Sequence, residues 1–193
     1  MVDERFEIEQ YTIRKKFFKL LGQAFHIYDR SGQVVFYSKL KALKLKEDIR
    51  LYTGEDMATE VLTIKARQIL DISATYDVVD PRTGQKVGAL KRRGIKSFLR
   101  DEWAILDATD HEIGLIQEDS LMLALLRRFV TNLIPQDFHG TVNNAPVFFF
   151  KRHFNLFVLR MDMDFSRDQG RLLDRRLGLA AAILLTAIEG RQR

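Results

Sequence analysis

Cysteine is absent from this 193-residue chain. Its absence excludes a disulfide framework, a thiolate metal site, a thiol nucleophile and anchoring by palmitoylated cysteine. Proline occurs three times, and no stretch is rich in Ser, Gly or Gln. Nothing therefore reads as a linker, and residues 1–193 are expected to form one domain. The opening segment, MVDERFEIEQ, lacks the apolar run of a secretory leader. A cytoplasmic protein is the expectation, and a reducing compartment suits a chain without thiols. Histidine is scarce as well. His26, His111, His139 and His153 are scattered, none pairs with another at ligand spacing, and no HExxH is present. His26 and His153 lie in strand-like runs, and His111 and His139 read as turn residues. There is no G-x-S-x-G elbow. Gly84 and Gly88 bracket a hairpin instead of opening a helix, so they offer no cradle for phosphate. These absences leave no catalytic residue, cofactor motif or metal set to name, and the chain is read as something other than an enzyme.

Long apolar runs are missing with one exception. Residues 177–188 read LGLAAAILLTAI, apolar on every face of a helix. Such a helix must lie inside a protein core or a membrane. Twelve residues at about 1.5 Å each give roughly 18 Å, short of the ~20 residues that span a bilayer. Leu177, Leu179, Ile183, Leu184 and Ile188 are therefore assigned to a buried core helix. A short membrane anchor bracketed by Arg175, Arg176 and Glu189 is the competing reading.

The rest of the chain is dominated by hairpin signals. Residues 24–39 (AFHIYDRSGQVVFYSK), 75–90 (TYDVVDPRTGQKVGAL) and 103–118 (WAILDATDHEIGLIQE) share one layout. An apolar-alternating run ends in Asp, a short polar turn follows, and a second run leads away. Asp opens each turn through its side chain, and Gly takes the positive-φ position. The third unit has an Asp-His-Glu segment where the others have Gly. Residues 11–18, 48–52, 60–66 and 97–100 add strand candidates, and Asn143-Asn144 marks another turn. Many short antiparallel strands at regular spacing suggest a sandwich or barrel, and closure into a barrel removes exposed edges. A closed barrel also provides an interior for the apolar helix. Residues 120–134, SLMLALLRRFVTNLI, break the pattern with helical spacing and a wide apolar face, predicting a second helix against the barrel.

Taken in order, the hairpins with Asp-to-Gly turns (YDVVDPRTGQKVG), the W-x-I-x-D…IGLIQED unit and the LRMDMDF strand running into the apolar helix resemble the LURP-one-related family. Its relatives are the phospholipid scramblases and the Tubby C-terminal domain. The resemblance covers roughly residues 11–189. It implies a twelve-stranded antiparallel barrel around a central hydrophobic helix. Function transfers unevenly across the group: Tubby domains bind phosphoinositides through surface Lys and Arg, and scramblases are assigned lipid transfer with calcium and palmitoylated cysteines. The D-x-D-x-S-x-D series of Asp162, Asp164, Ser166 and Asp168 resembles the start of a calcium loop. Its sixth position is Arg167 in place of Gly and its twelfth is Leu173 in place of Glu, so no metal site is assigned.

Charge is the remaining lead. Thirty-one Lys and Arg against 26 Asp and Glu give a formal charge of +5, which favours anionic partners. The cations fall in clusters: Arg14, Lys15, Lys16 and Lys19; Lys39, Lys41, Lys44 and Lys46; Lys91, Arg92, Arg93 and Lys96. The last is the most concentrated, with no acid between its members, and is named as the candidate anion or lipid site. A loop of this kind can hold a phosphate-bearing headgroup through charge-assisted hydrogen bonds. The expected activity is that of a monomeric binding module contacting an anionic membrane surface or a partner protein. A nucleic-acid-associated regulator and a passive scaffold are the alternatives. The first of these is disfavoured by the lack of any stacking motif or helix-turn-helix.

Overall fold

Short apolar-alternating runs separated by Asp-led turns can bury one face each, and twelve of them do so in a ring. The computed structural model describes residues 2–18, 22–40, 48–68, 74–93, 102–118, 137–153 and 159–189. A 3-10 turn at Glu4–Glu7 precedes the strands β1 (Gln10–Phe18), β2 (Gly22–Tyr28), β3 (Val34–Leu40), β4 (Asp48–Tyr52), β5 (Glu60–Ala66) and β6 (Thr75–Asp80). The second half comprises β7 (Gln85–Arg92), β8 (Glu102–Leu106), β9 (Glu112–Glu118), β10 (Asp137–Val142), β11 (Ala145–His153) and β12 (Leu159–Asp164), followed by the helix α1 (Arg175–Glu189). Each strand pairs antiparallel with its sequence neighbours, and β1 pairs with β12 to close the barrel, in register from Gln10↔Asp164 to Lys15↔Leu159. The expected helix over 120–134 and the strand over 97–100 lie outside the described residues. His139, expected in a turn, lies instead within β10, opposite Gln117 and Phe149.

The turns are built as their sequences specify. The Asp29 carboxylate accepts from the Ser31 and Gln33 amides, and Asp107 accepts in the same way from Thr109 and His111. Three residues after Asp29 stands Gly32 with φ +82°, and three after Asp107 stands Asp110 with φ +70°. Aspartate tolerates this left-handed conformation better than most side chains, so the third hairpin closes without glycine. Asp80 opens the β6–β7 turn and is buried. Desolvation pushes its carboxyl up, but hydrogen bonds from the Arg82 side chain and amide, with the charges of Arg82 and Arg176, hold it below the usual carboxylate range. Asp29, bonded first by the Ser31 hydroxyl, and Asp107, bonded first by Thr109, are lowered too. A carboxyl lowered in the folded state stabilises the fold above its unfolded value, near pH 4, and that contribution disappears as pH falls through the folded values. Thermal melts should therefore hold a steady midpoint from neutrality to about pH 5 and fall steeply below about pH 4. Asp80→Asn should flatten that acid limb.

Helix α1 runs inside the ring. Leu177, Leu179, Ile183 and Leu184 are between 0% and 3% exposed, and Ala180, Ala181, Ala182, Leu185 and Ala187 are equally buried. These positions cover the whole circumference of the helix, so walls surround it on every side. The Ile188 side chain lies outside the described set. Asp174 caps the first turn by accepting from the Arg176 amide at 2.9 Å, and Arg176 reaches Asp80 at 3.1 Å, fastening the helix start to the β6–β7 turn. Among the described residues no helix is long and apolar enough to cross a membrane. Two glycines let helix and wall approach. A Cβ at Gly88 would meet Leu177 Cδ1 at 2.8 Å, and one at Gly178 would meet the Phe165 ring at 2.5 Å.

Candidate functional site: the basic outer wall

Strand alternation divides the Lys91–Lys96 cluster. Lys91, next to last in β7, lies on the outside, exposed, in register with Thr75 and Ala104. Arg92 is half-buried opposite Trp103, a core residue, so it belongs to the inner row. The Arg93 guanidinium donates to Glu102 Oε1 at 2.8 Å and pairs with Glu112 as well. The bond to Glu112, opposed by burial and helped by Glu102, drives its pKa up. Lys96 lies outside the described residues. The acids that engage Arg93 come from β8 and β9, where neither local composition nor spacing could reveal them. Lys91 is thus the exposed cation of the three described members.

A second basic surface is assembled from clusters that are far apart in the chain. On the outside of the wall, Lys16 of β1 stands opposite Ala24 of β2, and Ala24 opposite Lys39 of β3. Both lysines are exposed, and neither has an ion-pair partner among the described residues. The next row runs His153, Arg160, Arg14, His26 and Tyr37 across β11, β12, β1, β2 and β3. The Arg14 guanidinium lies 4.9 Å from the centroid of the Tyr28 ring. The three strands β1, β2 and β3 contain no Asp or Glu at all. Lys41, Lys44 and Lys46, like Lys19, lie outside the described residues.

Carboxylates reach this wall from its margins. Asp162 of β12 accepts from Thr12 Oγ1 at 2.8 Å, His153 Nε2 at 2.7 Å and Arg160 Nε at 3.1 Å. Burial raises its carboxyl, and the Arg160, Thr12 and His153 bonds together lower it further. Glu55, from the β4–β5 connection, meets His26 Nε2 at 2.9 Å. His26 is almost fully buried between the Tyr28 and Tyr37 rings, and its Nδ1 has no hydrogen-bond partner among the described residues. The remaining members of the calcium-like series are similarly engaged. Asp164 accepts from Gln10 and the Ser166 amide, and buried Asp168 from the Leu172 and Leu173 amides. No group of three or more potential ligands is found among the described residues.

Lys15 corrects a grouping suggested by the sequence. Although it sits between Arg14 and Lys16, alternation turns it inward, where it is fully buried. Its Nζ donates to the Thr186 carbonyl at 2.9 Å and lies 5.6 Å from the centroid of the Phe25 ring. A helix leaves its last carbonyls without intrahelical partners and carries partial negative charge there, so an ammonium on that end satisfies both. Lys15 fastens the end of α1 to β1 and takes no part in the surface.

No family model matches the chain, and no curated protein matches it. Among solved structures, the X-ray structure of a protein from Arabidopsis thaliana is similar at 14% identity, with a TM-score of 0.56, covering 98% of each chain. At this identity the likeness concerns the fold alone.

Proposed function

We propose that the protein is a non-enzymatic binding module that docks on anionic membrane surfaces through the outside of β1, β2 and β3. One observation carries this reading: Lys16 and Lys39 stand exposed in a single cross-strand row, beside Arg14, on three strands that lack any acidic residue. Like charges at this density repel, and an anionic partner relieves the repulsion. Tyr28, partly exposed beneath the Arg14 guanidinium, adds a ring with a polar tip of the kind that suits the boundary between headgroups and acyl chains. The resemblance to the LURP-one-related group, whose Tubby relatives bind phosphoinositides, points the same way. Lys91 supplies a second, smaller contact on the wall formed by β6, β7 and β8.

Each lysine or arginine near an anionic surface contributes about 1 kcal/mol. Charge reversal at both positions, Lys16→Glu with Lys39→Glu, should therefore weaken binding by more than about tenfold at moderate salt. The assay is sedimentation with phosphatidylcholine vesicles containing phosphatidylserine, alongside pure phosphatidylcholine vesicles and a salt-titrated duplex DNA. Parent protein that ignores the anionic vesicles, or that binds DNA alone, overturns the reading. Lys91→Glu should have the smaller effect, since its neighbour Arg93 is already engaged by two carboxylates.

A further inference from the structure

The Glu55 carboxylate differs from Asp162 in coming to the basic wall from a loop and not from a strand of the wall. It arrives on the connection of residues 53–59 and reaches His26 of β2, near enough to Tyr37 of β3 for its charge to help raise that phenol's pKa, after burial. The connection is closed upon itself by Thr53 N to Thr59 O at 3.0 Å and Met57 N to Gly54 O at 3.1 Å, with Met57 at φ +54°. Among the described residues the Glu55 side chain hydrogen-bonds to His26 alone. Its own side chain is 66% exposed, whereas that of His26 is 5% exposed. The two partners are thus unequal: the imidazole is buried in the wall between two tyrosine rings, and the carboxylate is a solvent-exposed group brought to it by a loop.

We infer that Glu55 is an autoinhibitory counter-ion, an internal anion that occupies the middle of the basic wall until a phosphate-bearing bilayer replaces it. This rests on the membrane-docking reading above. The chemistry of exchange is simple. A carboxylate acceptor requires the hydrogen on His26 Nε2, and a headgroup phosphate oxygen can accept that same hydrogen. The hydrogen bond that must break has a solvent-exposed acceptor, so water is at hand to solvate the carboxylate as it leaves. Removing Glu55 leaves Arg14, Lys16, Lys39 and His26 with no acid over them among the described residues.

Vesicle sedimentation with Glu55→Gln tests the inference. Glu4→Gln is the control, because it makes the same change in net charge on the exposed 3-10 turn before β1, away from the wall. Glu55→Gln should bind phosphatidylserine-containing vesicles about three- to tenfold more tightly than the parent, and Glu4→Gln less than about twofold. Equal gains in the two variants overturn the inference and leave the docking reading intact. No sedimentation by the parent or either variant overturns the docking reading itself. A measurement on the parent avoids any folding defect: amide hydrogen exchange across residues 53–59 should quicken on adding anionic vesicles while exchange in β1 and β2 slows. Exchange in the connection that is unchanged or slowed overturns the inference.

Discussion

Leu184→Asp is expected to leave no folded protein. Leu184 is 1% exposed in the middle of α1, with barrel wall on every side, and the cation at the helix's C-terminal end, Lys15, is already held by the Thr186 carbonyl. Burying an unpaired charge costs several kcal/mol, and the lost leucine removes a further ~2 kcal/mol of apolar burial. A whole domain is held by only about 5–15 kcal/mol. Ile183→Asp should behave alike. Circular dichroism and a thermal melt of purified protein decide the matter, and a soluble variant melting cooperatively near the parent temperature would remove α1 from the core.

Gly178→Val is expected to destabilise the fold by jamming the helix against the wall. Glycine inside a helix is ordinarily unfavourable by about 1 kcal/mol relative to alanine, so helix propensity alone predicts a gain from replacing it. Packing decides against that gain. The first added carbon would lie 2.5 Å from Phe165 Cε1 and 3.0 Å from Met163 Cε, and Phe165 is itself fully buried, with the Tyr11 and Phe148 rings set edge to face against it. The ring has nowhere to go. Overpacking of this kind costs about 1–3 kcal/mol, and the branched valine should fall at the upper end, with Gly178→Ala smaller and of the same sign. Urea denaturation gives the test, and a midpoint that stays at the parent value would mean that helix and wall can separate at no cost.

The barrel and its helix were legible in the sequence because their signals are local. Twelve consecutive apolar residues need only a length argument, and an Asp followed by Gly needs only turn chemistry. Even the glycine-free hairpin could be expected from its alternation, although not that Asp110 would take the place Gly32 holds elsewhere. The site was less legible because its geometry depends on register, which joins residues through hydrogen bonds between strands. Lys91, Arg92 and Arg93 read as one block of charge, yet alternation sends the first outward and the second inward, while Glu102 and Glu112 come from other strands to hold the third. Lys15 looked like its neighbours and lies on the opposite face. Lys16 and Lys39 are 23 positions apart in the chain and stand two strands apart on the wall. That adjacency follows from the β1–β2 and β2–β3 pairings.

Closure by the first and last strands also sets a timetable. Gln10 and Asp164 are joined by a side-chain hydrogen bond spanning 154 positions, and α1 follows all twelve strands in chain order. As the polypeptide leaves the ribosome, β1 waits for its second neighbour until β12 has been made, and the element that fills the interior comes later still. Early hairpins can form, but they present apolar inner faces with nothing to cover them. Pairing at such separation is slow, and chains with uncovered apolar faces aggregate. The nascent protein is therefore open to chaperones until α1 has emerged, and a ribosome that stops short of residue 175 releases a ring with no filling.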